Sequence, residues 1–145
     1  MRRTGHRELT RAAGIWLLAG VAGCSGVVDF SNQGSACLVS GDSETFDQGL
    51  DEGASTVFVE MVEGFGSNWQ VEEASCDVTV HGSTIRVRSR GKLRDRGGPE
   101  MEDLRYLTAG CPGPLLTEGQ WTLAYGGHSV SFAVPGDADV CVDSE

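Results

Sequence analysis

An antiparallel β-sandwich stapled by two disulfides is the fold class this sequence predicts. Three observations point to it. Apolar residues alternate with polar ones in several short runs, and no stretch sustains a helical period. Glycine-centred breaks separate those runs at hairpin spacing. Four cysteines, Cys37, Cys76, Cys111 and Cys141, are spread through the part of the chain that carries the alternation. The chain has 145 residues, enough for one domain. A small Greek-key barrel is the alternative closure of the same strands.

The first residues read as an address. Arg2, Arg3, Arg7 and Arg11 stand against a single Glu8, and residues 12–23 carry no charge. A basic segment before a short apolar one is the layout of an export signal. Twelve helical residues span about 18 Å, short of the roughly 30 Å hydrocarbon core of a bilayer. The run closes with Val21-Ala22-Gly23-Cys24. These four residues resemble the lipobox of bacterial lipoproteins. The resemblance implies cleavage after Gly23 and lipid attachment at the Cys24 thiol. Val21 stands where leucine is usual in that family. Several acyl chains hold a protein stably where one does not. Ser25, rather than Asp, follows the cysteine, which by the same resemblance points to the outer membrane of the bacterial envelope. The expected organisation is therefore a signal peptide over 1–23, a small polar tether over 24–36 and a β domain over 37–145. Val27, Val28 and Phe30 could add a first strand from within the tether.

Without residues 1–23, which hold four arginines and one glutamate, the chain carries seven basic and twenty acidic residues, net −13. That balance speaks against nucleic acid as a partner. Four thiols in an exported domain read as two disulfides. Three pairings are open to four cysteines. The preferred one is Cys37–Cys76 with Cys111–Cys141, because each loop then brackets consecutive strands. In the chain-entropy account each loop contributes about 3.5–4 kcal/mol. No CxxC occurs, which disfavours a Cys₄ zinc site.

The strands follow in order. Residues 55–63 place Val57, Val59 and Met61 on one side. Cys76, Val78 and Val80 share a face, and so do Ile85 and Val87. A two-residue turn at His81-Gly82 would join these two runs, setting Asp77 opposite Arg86 and Glu73 opposite Arg90. The second run is expected to end near Gly91. Residues 91–103 read as irregular, with a helical turn near 100–104 and a short strand over 104–108. Residues 120–125 and 128–134 flank Gly126-Gly127, which sets Trp121 opposite Phe132 and Leu123 opposite Val130. Pro135 ends that hairpin, and Cys141 sits in a last short strand. The stretch WTLAYGGHSVSFAVP resembles the terminal hairpin of immunoglobulin-like and fibronectin-like domains of secreted bacterial proteins. The resemblance implies an immunoglobulin-like form of the sandwich.

The most unusual chemistry is basic. Arg86, Arg88, Arg90, Lys92, Arg94 and Arg96 are six of the seven basic residues beyond position 23, and they occupy alternate positions. Period 2 puts such side chains on one face of a strand. They are candidates for binding an anionic partner, with pairing across strands to acidic neighbours as the alternative. The acidic, glycine-rich stretch of Asp42, Glu44, Asp47, Asp51 and Glu52 lacks the spacing of a calcium loop. His81 and His128 fall at hairpin turns. No hydrolase, P-loop or zinc-protease motif occurs, and His128 and Ser129, being strand neighbours, point to opposite faces. Trp121 is expected in the core and Trp69 in an exposed loop. The sequence thus points to a lipid-anchored envelope protein without catalysis or cofactor. It would act as a binding or structural module for another envelope protein or an anionic polymer. The rival expectations are an accessory subunit or inhibitor of an envelope enzyme, or a weak hydrolase.

Overall fold

The computed structural model describes residues 26–41, 49–99 and 105–144. Within them lie nine strands: β1 (Val27–Ser31), β2 (Ser35–Ser40), β3 (Ser55–Phe65), β4 (Trp69–His81), β5 (Thr84–Asp95), β6 (Arg105–Pro112), β7 (Gly119–Tyr125), β8 (His128–Val134) and β9 (Val140–Asp143). They form two sheets, and the barrel alternative is set aside because the sheets do not close on each other. The second sheet runs β6-β3-β2-β9, all antiparallel. In the first sheet β4 pairs with β5 along its whole length. The opposite edge of β5 is shared. β1 pairs there antiparallel with residues 90–94, and β7 pairs parallel with residues 84–86, with β8 beyond it.

The alternation read from the sequence builds the core. Ile85, Val87, Leu93, Trp121, Leu123, Tyr125, Phe132 and Val134 point inward from the first sheet. Ala36, Leu38, Val57, Val59, Met61, Leu107 and Val142 meet them from the second. Both expected pairs of the β7–β8 hairpin are present, Trp121 with Phe132 and Leu123 with Val130, although Val130 stays 36% exposed.

Several expectations are corrected. The disulfides are Cys37–Cys141 and Cys76–Cys111, not the pairing that brackets consecutive strands. The first joins β2 to β9, which are neighbours in the second sheet although 104 positions apart in sequence. The second ties edge strand β4 of one sheet to edge strand β6 of the other. The stretch 24–36 does contain the first strand that Val27, Val28 and Phe30 suggested, β1, together with the start of β2, and the Gly26 carbonyl already accepts the Asp95 N–H at 2.8 Å. β5 does not end near Gly91 but runs on to Asp95. Gly91 is there because the sheets press together. A Cβ on it would lie 2.6 Å from Leu107 Cδ2 and 3.0 Å from Met61 Sδ. Glycine inside a strand marked a close approach rather than a stop. The strand expected over 104–108 is the longer β6, whereas the helical turn expected near 100–104 falls outside the described residues.

The β4–β5 turn is Gly82-Ser83 rather than His81-Gly82, so His81 pairs with Thr84. Gly82 has φ +62° at the first turn position, where a tight hairpin requires it. The register moves by two residues. Asp77 therefore faces Arg88, not Arg86, and Glu73 faces Lys92, not Arg90. A bulge at Glu72 breaks the ladder between Val71 and Glu73.

Candidate functional site

β5 presents the basic row. Its inner positions, Ile85, Val87, Ser89, Gly91 and Leu93, are buried. The alternate positions Arg86, Arg88, Arg90, Lys92 and Arg94 therefore share the outer face, and Arg96 lies just past the strand. From Arg86 to Arg94 the row spans about 26 Å at the usual strand rise.

The row divides in two. At the end near β1 the cations are partnered, Lys92 and Arg94 by carboxylates and Arg96 by a neutral amide. Lys92 Nζ lies 3.5 Å from Asp29 Oδ1, Arg94 Nε donates to Glu72 Oε1, and Arg96 Nε donates to Gln70 Oε1 at 2.8 Å. The hydrogen bond from Arg94 holds the Glu72 carboxyl below its ordinary range, and the same bond raises the guanidinium. At the other end Arg86, Arg88 and Arg90 are exposed and make no hydrogen bond or ion pair among the described residues. Their partners across β4 are Thr79, Asp77 and Ser75. Asp77 sits on the rung of Arg88 without forming a salt bridge. On the β7–β8 side the outward residues Thr122, Ala124, Ser129 and Ser131 are neutral.

Arg86 and Arg88 also floor a groove of about 590 Å³. It exists because β1 and β7 share one edge of β5 without meeting. β1 leaves at Ser31, β7 joins only over residues 84–86, and residues 87 and 88 have no strand neighbour on that side. Asn32, at φ +53°, closes the β1 end. Its backbone N–H donates to the Ser89 carbonyl at 3.2 Å, and its Oδ1 accepts the Ser89 N–H at 2.9 Å. Ser31 and Asn32 form one wall, and His128 and Ser129 line the other, beside the Gly126-Gly127 turn. Gly126 has φ +56°, and a Cβ there would lie 2.8 Å from the Asn32 carbonyl oxygen, so only glycine lets the turn close against Asn32.

A buried hydrogen-bonded relay fixes this frame from beneath. The Tyr125 hydroxyl donates to the Gln33 carbonyl at 2.6 Å and lies 2.7 Å from Ser89 Oγ. With the tyrosine proton so committed, Ser89 is the donor in the second bond. β7, β5 and the β1–β2 connection are thereby joined under the groove. Burial pushes the Tyr125 phenol above its ordinary value, opposed in part by the Ser89 hydrogen bond. The native state therefore holds this proton more tightly than the unfolded chain does. Stability is expected to be unaffected by this group below pH 10 and to fall as pH climbs past it, because only the unfolded tyrosine ionises freely there. Urea titrations of wild type and Tyr125→Phe between pH 8 and pH 11 check this. The alkaline loss should shrink in the variant.

The remaining candidates sort quickly. Cys24 and residues 42–48, with Asp42, Glu44 and Asp47, lie outside the described residues. Of the acidic stretch, the Asp51 N–H donates to Ser40 Oγ at 2.7 Å, and Glu52 Oε1 accepts the Glu118 N–H at 2.8 Å. Cys37, Cys141 and Asp139 cluster closely, but both sulfurs are spent in the disulfide and offer no thiolate to a metal. His128 flanks its hairpin turn as expected, whereas His81 ends β4 beside its turn instead of standing in it. Trp121 is in the core, and its Nε1 donates to the Thr117 carbonyl at 2.9 Å. Trp69 is not in a loop but begins β4, half-buried against the core. Asn32 and Ser31 escaped sequence reasoning, since their role depends on two distant strands sharing one edge.

No protein-family model, no curated protein and no solved structure matches this chain.

Proposed function

We propose that this chain is an exported, lipid-anchored module of the bacterial envelope that binds an anionic polymer through the outer face of β5 and performs no catalysis. One observation carries the reading. In a strongly acidic chain, Arg86, Arg88 and Arg90 stand in a row on one face and form no salt bridge among the described residues, Asp77 on the Arg88 rung being their one acidic cross-strand partner, while Lys92 and Arg94 on the same strand are matched. Segregated charge of this kind favours a partner of opposite sign. The lipobox-like Val21-Ala22-Gly23-Cys24 supports the anchor, and two disulfides fit an oxidising compartment. The groove lining holds arginines, hydroxyls, an amide and an imidazole, but no carboxylate, which fits anion binding better than acid–base hydrolysis.

Retention of the full chain on immobilised heparin, a polyanion probe, tests the proposal. Replacing Arg86, Arg88 and Arg90 together by Gln is expected to weaken retention roughly tenfold in affinity, since each exposed charge contact contributes about 0.2–1 kcal/mol. The same replacement of Lys92, Arg94 and Arg96 should change it by less than about twofold. Equal losses from the two triple variants, or no retention of the wild type, would overturn the reading.

A further inference from the structure

The geometry points to the groove between Asn32 and the β7–β8 turn as a subsite for one tetrahedral oxyanion, a phosphate or sulfate group carried by the polymer. This inference rests on the polymer-binding reading and names which group of the polymer is recognised. The donors arrive from three directions. Arg86 and Arg88 rise from the floor on β5, Ser31 and Asn32 line one wall, and Ser129, on the same outer face as the arginines, lines the other. A planar carboxylate offers two oxygens in one plane and is satisfied by a single guanidinium fork. A tetrahedral group offers oxygens to floor and both walls at once.

The Asn32 amide is the orienting element. The Ser89 N–H donates to its Oδ1, which fixes the amide with oxygen toward β5. Its Nδ2 donors are left without a partner among the described residues, at the rim of the groove. Arg86 and Arg88 are likewise uncommitted. The frame beneath is rigid, because Ser89, Tyr125 and Gln33 are joined by hydrogen bonds and Gly126 packs directly on Asn32. Preorganised donors that converge on one groove suit an anion that accepts many hydrogen bonds. Arg90 lies outside the lining and serves the polymer through charge alone.

Binding of the full chain to polyphosphate, dextran sulfate and polygalacturonate at matched charge concentration tests this. At least one of the first two is expected to bind tenfold or more tighter than the carboxylate polymer. The tighter of the two identifies the source, and equal binding of both means that the groove reads the tetrahedral shape and not its central atom. Ser129→Ala should bring the preference below threefold while polygalacturonate binding persists. Arg90→Gln should weaken all three polymers alike. Equal binding of the three by the wild type overturns the subsite but leaves the charged face in place. A preference that survives Ser129→Ala also overturns it, because polymer charge density then suffices. Failure of all three to bind sinks the polymer-binding reading itself.

Discussion

Removing the Cys37–Cys141 bridge, by Cys37→Ala together with Cys141→Ala, is expected to destabilise the fold by about 4.7 kcal/mol. The bridge closes a loop with a sequence separation of 104. Loop-closure entropy grows with the logarithm of that length, so the cost falls mainly on the unfolded chain. The packing loss is small. Cys141 is exposed and Cys37 half-buried, and the two sit side by side on paired strands. Removing Cys76–Cys111, with a separation of 35, is expected to cost about 3.8 kcal/mol by the same route. There the loss includes core contacts, because Cys111 is buried between the sheets. Domains of this size are stable by about 5–15 kcal/mol, so either change takes a large share. Urea midpoints of the two double variants check both losses. A change below about 1 kcal/mol for Cys37/Cys141 would contradict the entropic account.

Gly34→Ala is expected to cost about 2–5 kcal/mol, combining left-handed backbone strain with overpacking. Gly34 lies in the turn from β1 to β2, where the chain crosses from one sheet to the other, and its φ is +85°. A Cβ there would collide with the Glu60 carbonyl oxygen and lie 3.0 Å from Met61 Cα. These are backbone atoms of β3 and cannot swing aside as a side chain would. Gly34 also accepts the Ser144 N–H at 2.8 Å, so its displacement would loosen the C-terminal strand. Because Asn32 and Gln33 precede it directly, the variant should lose polyanion binding along with stability. Gly41→Ala is the control. Its φ is +67° but a Cβ there would meet nothing within 4 Å among the described residues, so about 1–2 kcal/mol is expected. Equal urea midpoints for the two variants would show that the collision is relieved.

The parts of this fold legible in the sequence are the local ones. The β7–β8 hairpin follows from two glycines between alternating runs, and both expected pairs are there. In the β4–β5 hairpin the three residues His81, Gly82 and Ser83 allow two placements of a tight turn. The two placements differ by two residues in the partners of residues 73–80 yet leave each of those side chains on the same face, since an even shift preserves period 2. The arginine row was therefore visible as a row, but its partners were not. Disulfide pairing was out of reach because β2 and β9 meet only once the whole second sheet has assembled. The groove was hidden for a similar reason. It depends on β1 and β7, far apart in the chain, sharing one edge of β5.

The hydrogen bond between Gly26 and Asp95 sets a leash. Cys24, the proposed lipid attachment, is two residues before Gly26, a reach of at most about 7 Å. The Arg94 rung stands beside this root, because Val27 pairs with it, and the Arg86 rung lies about 26 Å farther along the strand. Whatever its tilt, a molecule rooted through the proposed anchor would keep the proposed groove within roughly 40 Å of the lipid surface. The polymer it captures would have to hug the bilayer, and the protein would work as a short-range clasp between membrane and overlying layer.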